Sequence, residues 1–176
     1  MIQTLIDRIA RLFVILMVLA LALMVLMVFG NVVLRYGFNS GITVSEELSR
    51  WLFVWMTFLG SVVAVRNGAH LGTDALVARL PLAGKKFCFA AAHILMLMIC
   101  VFMFRGAWVQ TGINYGTTSA VMEASMAWLY ASGAVFSLLA GLMFAHELWL
   151  LFTGQLAPER LVSVRESEEA QTGEHA

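Results

Sequence analysis

The stretch TVSEELSRWLFVWMTFLG, residues 43–60, decides how this chain folds, because a charged preface leads directly into an apolar run. The apolar segment from Trp51 to Val65 holds only 15 residues, whereas a helix that crosses a bilayer needs about 20. The sequence TVSE at 43–46 has the pattern of a capping box, in which two side chains bond the free amide groups of a helix start. A helix that begins there is about 33 Å long. The sequence therefore predicts a span over residues 44–66 that includes the charged preface.

The overall composition is that of an integral membrane protein. Apolar residues make up 61% of the chain and charged residues 12%, against roughly 45–50% and about 25% in soluble domains. The 11 basic and 11 acidic side chains cancel, so no net field remains to attract nucleic acid. We therefore expect a membrane-bound chain with membrane lipid around it and no nucleic-acid partner.

Three further segments are long and apolar enough to cross a bilayer: residues 12–34, interrupted only by Asn31, residues 87–109 and residues 124–152. The first is longer than the roughly 7–15 apolar residues of a signal peptide, which favours an uncleaved anchor. The predicted fold class is all-α, with four transmembrane helices in a single domain over residues 1–152. The polar, acidic residues 153–176 are predicted to form a largely disordered cytoplasmic tail.

Basic side chains are distributed unevenly between the two ends of these helices. Eight lie in the N-terminal segment, the loop between spans two and three, and the tail: Arg8, Arg11, Arg66, Arg79, Lys85, Lys86, Arg160 and Arg165. Three lie at the other end: Arg35, Arg50 and Arg105. Because basic residues are retained on the cytoplasmic side of short loops, both termini are predicted to be cytoplasmic, with loops 35–50 and 105–123 outside.

A short amphipathic helix is predicted over residues 73–80, between spans two and three. Thr73 can cap this helix, and Pro81 ends it. Its apolar residues share one face, as in helices that lie on a membrane surface: Leu76, Val77 and Leu80.

The charged preface allows two interpretations. Glu46 and Glu47 could be cation or proton ligands, as in a small proton-coupled exporter acting alone. Alternatively, they could be structural, since the helix dipole favours acids in the first turn, and Glu46 and Arg50 are one turn apart and able to pair. The structural interpretation is favoured, with Trp51 and Trp55 as interfacial anchors.

Two histidines raise an alternative function. His93 and His146 lie at similar depth from the cytoplasmic ends of spans three and four, and a b-type haem in a helical bundle needs such a pair. A haem-binding membrane anchor of a redox enzyme is therefore the alternative hypothesis. Against a self-contained ion pathway, no ionisable side chain lies at the centre of any predicted span.

Span four carries small residues at every fourth position: Gly133, Ser137, Gly141 and Ala145. Such a stripe allows two membrane helices to approach closely. The sequence predicts that this stripe packs either within the chain or against a partner.

The segment EELSRWLFVWMTFLG at 46–60, continuing to Arg66, His70 and Asp74, resembles the small membrane subunit, of the DctQ type, of the tripartite ATP-independent periplasmic (TRAP) transporters. The acid pair, the arginine, the tryptophan and the R-x-x-x-H-x-x-x-D run match this family. The resemblance covers roughly residues 10–152. At the start of the last helix, Ser125 and Ser132 stand where the family often has prolines.

This resemblance implies a multi-pass protein of the bacterial inner membrane, without a catalytic residue, metal or cofactor of its own. Its expected partners are a large multi-span membrane subunit and a periplasmic substrate-binding protein. The large subunit would hold the sites for sodium and for an organic acid, of the C4-dicarboxylate or sugar-acid class. The small subunit would act as a scaffold, with the 46–55 cluster fixing span two and with Arg66, His70 and Asp74 ordering the cytoplasmic turn.

Overall fold

A computed structural model of the chain describes residues 2–66 and 80–155 and, within the first helix, the side chains of Arg8 and of residues 10–38. Four helices account for most of these residues: α1 (Ile2–Phe38), α2 (Thr43–Arg66), α3 (Leu82–Ile113) and α4 (Ala127–Phe152). Each is long and apolar enough to cross a bilayer. The predicted all-α fold with four membrane-spanning helices is confirmed.

Part of the predicted cytoplasmic turn lies outside the described residues. His70, Asp74 and all but the last residue of the predicted helix at 73–80 fall in this gap, and so does the tail beyond Gln155. Arg66 is described as the exposed last residue of α2.

The starts of α3 and α4 lie five and three residues from the predicted ones. α3 begins at Leu82 rather than at 87, because Pro81 is extended and its carbonyl accepts the first helical hydrogen bond, from the Lys85 amide at 3.0 Å. The lysine stems can lie along the helix while their charges reach water. α4 begins at Ala127 rather than at 124, because the Met126 amide is bonded within the preceding loop.

The helices form an open row rather than a closed bundle. Among the described residues α1 packs on α2, α2 on α4, and α4 on α3, in the spatial order α1–α2–α4–α3. Each helix therefore keeps a broad side that the described chain does not cover. On α1 this side includes large apolar residues such as Leu26, which is 70% exposed. In a bilayer such a side faces lipid or another protein.

The most extensive helix contact joins α3 to α4 through the predicted small-residue stripe. A Cβ atom added at Gly133 would lie 3.6 Å from the Cβ of Ala107, and one added at Gly141 would lie 3.5 Å from the Cβ of Cys100. Ser137 is buried, and its hydroxyl donates to the Gly133 carbonyl at 2.7 Å. Ala145, the last member of the stripe, is exposed. The stripe therefore packs mainly inside the chain.

The loop between α1 and α2 is held by a side chain from within α1. Asn39, with φ of 50°, ends α1 in the left-handed conformation, and the Ser40 amide donates back to the Leu34 carbonyl at 3.1 Å. The Ile42 amide donates to Oδ1 of Asn31 at 2.7 Å. This bond fixes the chain just before α2 begins.

The prediction of a capping box at 43–46 was wrong, because no hydrogen bond links Thr43 to Glu46 among the described residues. Instead, the Ile42 carbonyl accepts the Ser45 amide at 3.1 Å. The hydrogen bond between the Ile42 amide and the Asn31 side chain fixes Ile42, so the first helical turn starts one residue before the predicted cap. Glu46 still lies in the first helical turn, where the dipole favours an acid.

Candidate functional site

The acid pair of α2 divides between two environments. Glu46 and Glu47 are adjacent in a helix, so their side chains leave it about 100° apart. Glu46 is exposed and lines a cavity between α1 and α2. Glu47 is half-buried and reaches the loop between α3 and α4. The two carboxylates therefore do not form one shared ligand site.

Glu47 connects the start of α2 to a loop more than seventy residues away in the sequence. Its Oε2 accepts the backbone amides of Val121 at 3.0 Å and Met122 at 3.2 Å. The buried Ser119 hydroxyl interacts with the same carboxylate, although it forms no hydrogen bond of standard geometry. Hydrogen bonds to a charged acceptor are stronger than neutral ones. Glu47 thus holds the two halves of the helical row together at one end.

The α3–α4 loop presents these amides because it is itself a small folded turn. The Ser119 amide donates to the Ala124 carbonyl at 2.8 Å, and the Met126 amide donates to the Thr117 carbonyl at 2.8 Å. Glu123 adopts a positive φ of 54°, which closes the tip. Successive backbone amides in such a turn form a concavity suited to an anion. The Glu47 carboxylate fills this role.

Ser125 joins the loop to the start of α4. Its hydroxyl donates to the Tyr115 carbonyl at 2.7 Å and accepts the Ala127 amide at 3.3 Å. A proline at this position would supply neither hydrogen bond. Ser125 therefore has a bonding role that a proline could not take.

The other members of the 46–55 cluster lie on different sides of α2. Arg50 is exposed and has a weak Coulombic attraction to Glu47, whereas no ion pair with Glu46 is formed among the described residues. Exposed ion pairs one helical turn apart contribute little free energy, so Glu46 and Arg50 gain little from pairing. Trp51 is 9% exposed, and Trp55 lines an apolar groove against α1.

The two histidines have separate surroundings. His93 Nδ1 lies 2.9 Å from the Phe89 carbonyl of its own helix, and its ring meets Phe144 of α4 edge-on at 5.8 Å. His146 is exposed and lies beside Trp149. Because His146 is two residues beyond Phe144, its side chain leaves α4 about 200° away from the side that meets His93. The pair does not converge on one site, and the haem hypothesis is not favoured.

Sequence reasoning missed two contributors to the site. Asn31 was treated only as an interruption of the first span, yet its side chain is 9% exposed and holds the α1–α2 loop. An amide side chain near the end of an otherwise apolar helix was the available signal. The amides of Val121 and Met122 gave no signal, because every residue type except proline has one.

Four membrane-spanning helices, tied together at one end through a carboxylate and a folded loop, define a small helical membrane protein. Residues 24–154 match the family described as Tripartite ATP-independent periplasmic transporters, DctQ component. The matched residues include both Glu47 and the loop amides of Val121 and Met122 that it accepts. The chain belongs to the DctQ family: it is a TRAP transporter small permease subunit and a multi-pass protein of the inner membrane.

Curated relatives agree with this assignment. A TRAP transporter small permease protein of Haemophilus influenzae is 34% identical over 140 residues, which cover 77% of this chain and 87% of the relative. The C4-dicarboxylate TRAP transporter small permease protein DctQ of Vibrio cholerae is 25% identical over 170 residues, or 83% of this chain and 72% of the relative. The sialic acid TRAP transporter permease protein SiaT of Haemophilus influenzae is 30% identical over 114 residues, which are 62% of this chain but 18% of SiaT.

Proposed function

We propose that this chain is a non-catalytic scaffold that braces the large membrane subunit of its transporter. The large subunit holds the substrate and sodium sites, and a periplasmic binding protein delivers an organic acid for sodium-coupled uptake. The names of two relatives support this substrate range, since one is a C4-dicarboxylate transporter subunit and another a sialic acid permease. SiaT also supports the partnership, because a segment similar to this chain forms part of a much longer permease polypeptide.

The observation that carries the proposal is an uncovered stripe on α2, here called the α2 stripe: Arg50, Phe53, Thr57 and Ala64. Their spacing places them on one side of the helix, and all four are exposed. The Thr57 hydroxyl donates to the Phe53 carbonyl of the same helix at 2.8 Å. Small and hydroxyl-bearing residues permit close packing of helices in a membrane, so the α2 stripe suits a protein partner better than lipid.

Arg50 is the charged residue at one end of the α2 stripe. It lies seven residues after Thr43, which is about 10 Å along the helix. A charge at that depth is usually paired with another protein group, and among the described residues Arg50 has only the weak attraction to Glu47. We therefore propose that Arg50 pairs with a carboxylate or a carbonyl of the large subunit. A helix of that subunit then lies along the α2 stripe.

The test is the amount of large subunit that co-purifies with variants of this chain. Thr57→Trp places a large ring on the α2 stripe and should reduce the recovered large subunit at least severalfold. Leu26→Trp is the matched control, because Leu26 is exposed on α1, away from the stripe. If Leu26→Trp disrupted the complex and Thr57→Trp did not, the partner would lie on α1 and the proposed interface would be wrong.

The proposed orientation has both termini in the cytoplasm and the Glu47 contact on the periplasmic side, with Arg66, His70 and Asp74 ordering the cytoplasmic turn and a surface helix at 73–80. It follows from the uneven distribution of basic side chains. In a background without the native cysteines, a cysteine at Gly116 should react with a membrane-impermeant reagent in intact spheroplasts. One at Thr153 should react only after lysis. The reverse pattern would overturn the orientation.

A further inference from the structure

A second polar feature lies at the same end of the molecule, between α1 and α2. It is a cavity of about 200 Å³, here called the interface cavity, lined by Val28, Asn31, Val32, Arg35, Tyr36, Ser45 and Glu46. It is separate from the Glu47 contact and from the α2 stripe. It combines one cation, one anion and several neutral polar groups with an apolar rim.

Two of its polar side chains are buried without full hydrogen bonding. Oδ1 of Asn31 accepts the Ile42 amide, which leaves the Asn31 amide nitrogen without a partner among the described residues. The side chain is 9% exposed. Ser45 is 2% exposed, and its hydroxyl also has no partner within the described chain. An unpaired buried polar group is costly and rare, so the Ser45 hydroxyl calls for an acceptor that the described chain does not supply. The Asn31 amide nitrogen keeps accessible surface and can donate to a molecule in the cavity.

The charges of the interface cavity are of opposite sign and are not neutralised by each other. Arg35 and Glu46 both line it, and no ion pair joins them among the described residues. A guanidinium with nearby amide and hydroxyl donors is suited to phosphate. A carboxylate a short distance away is suited to an ammonium group. A ligand with both charges fits this pattern better than a simple anion.

Apolar residues continue from the cavity along the same side of α1. Leu21, Val25, Val28 and Val32 are spaced so that they share one side of the helix, and all four are exposed. Tyr36 stands at the polar end of this line, as aromatic residues do at membrane interfaces. A molecule whose polar part lies at Arg35 would thus have an apolar track for hydrocarbon chains.

We infer that the interface cavity binds the head group of a zwitterionic phospholipid, with its phosphate at Arg35, Asn31 and Ser45 and its ammonium group at Glu46. The acyl chains lie along the exposed line of α1 that begins at Val32. This lipid joins α1 to α2 at the end where Asn31 is their link through the loop. The inference does not depend on the scaffold role, because it concerns only the α1–α2 pair.

The test is native mass spectrometry of the purified transporter complex, delipidated and titrated with phosphatidylethanolamine, phosphatidylglycerol or inorganic phosphate. The wild-type complex should retain the zwitterionic lipid in clear preference to the anionic one, and millimolar inorganic phosphate should not displace it. Arg35→Gln should lower retention of phosphatidylethanolamine about tenfold, because charge-assisted hydrogen bonds are lost. Glu46→Gln should remove the preference between the two lipids.

Arg105→Gln is the matched control, since Arg105 is an exposed arginine of α3 outside the cavity, and it should retain lipid as the wild type does. Equal retention by Arg35→Gln and wild type would overturn the inference. Displacement by inorganic phosphate would show a free-anion site instead of a lipid site. An unchanged lipid preference in Glu46→Gln would remove the ammonium assignment. Should Arg35→Gln fail to assemble, the wild-type titration and the exposed Glu46 variant still decide.

Discussion

Gly133 of α4 provides a sharp test of the helix packing, because alanine there should be tolerated whereas leucine should destabilise the protein. An added Cβ would lie 3.6 Å from both Ala107 and Phe58 and 3.8 Å from Met103, which are ordinary contacts. Gly133→Ala should therefore be neutral or stabilise the protein by up to about 1 kcal/mol through helix propensity. Gly133→Leu adds three heavy atoms beyond the Cβ in an occupied space and should destabilise the protein by about 1–3 kcal/mol.

Equilibrium unfolding of the purified chain in mixed micelles would measure both changes. Gly106 of α3 is the matched control, since nothing lies within 4 Å of a Cβ added there, and Gly106→Leu should be neutral or stabilise the protein by up to about 1 kcal/mol through helix propensity. Tolerance of leucine at both positions would refute the close approach of α3 and α4. A similar loss at both would mean that steric space at Gly133 is not the cause.

Two further substitutions test the loop contacts by amide hydrogen exchange. Asn31→Leu removes the acceptor at the α1–α2 loop and should speed exchange of the loop amides by the equivalent of about 1–3 kcal/mol. Asn114→Leu loses only side-chain bonds to its own helix turn and should leave that exchange unchanged. An equal effect of the two substitutions would contradict the role of Asn31. Glu47→Gln should speed exchange of the α3–α4 loop amides more than Glu123→Gln does, and unchanged exchange would mean that Glu47 does not hold that loop.

The four helices could be predicted because apolar length is a local property of the sequence. The apolar run that starts at Trp51 is too short to cross a bilayer, so the charged residues before it had to be helical. The helix α2 does begin at Thr43. The open order α1–α2–α4–α3 could not be predicted in the same way. In a membrane both lipid-facing and protein-facing sides of a helix are apolar, so hydrophobic periodicity does not show which side packs.

The roles within the charged cluster were harder to predict than its presence. The adjacent carboxylates of Glu46 and Glu47 look equivalent in sequence, yet their directions differ by about 100°, and they meet different elements. The partners of Glu47 are backbone amides far along the chain, which have no residue signature. Asn31 was visible as a polar residue in an apolar span, but its acceptor role depends on where Ile42 lies.

The central claim is that this chain braces a larger membrane subunit, and co-purification from the native membrane tests it most directly. The tagged chain should bring down one large polytopic membrane protein in a fixed ratio, and Thr57→Trp should reduce that ratio while Leu26→Trp leaves it unchanged. Recovery of the tagged, folded chain without any large membrane partner would contradict the account.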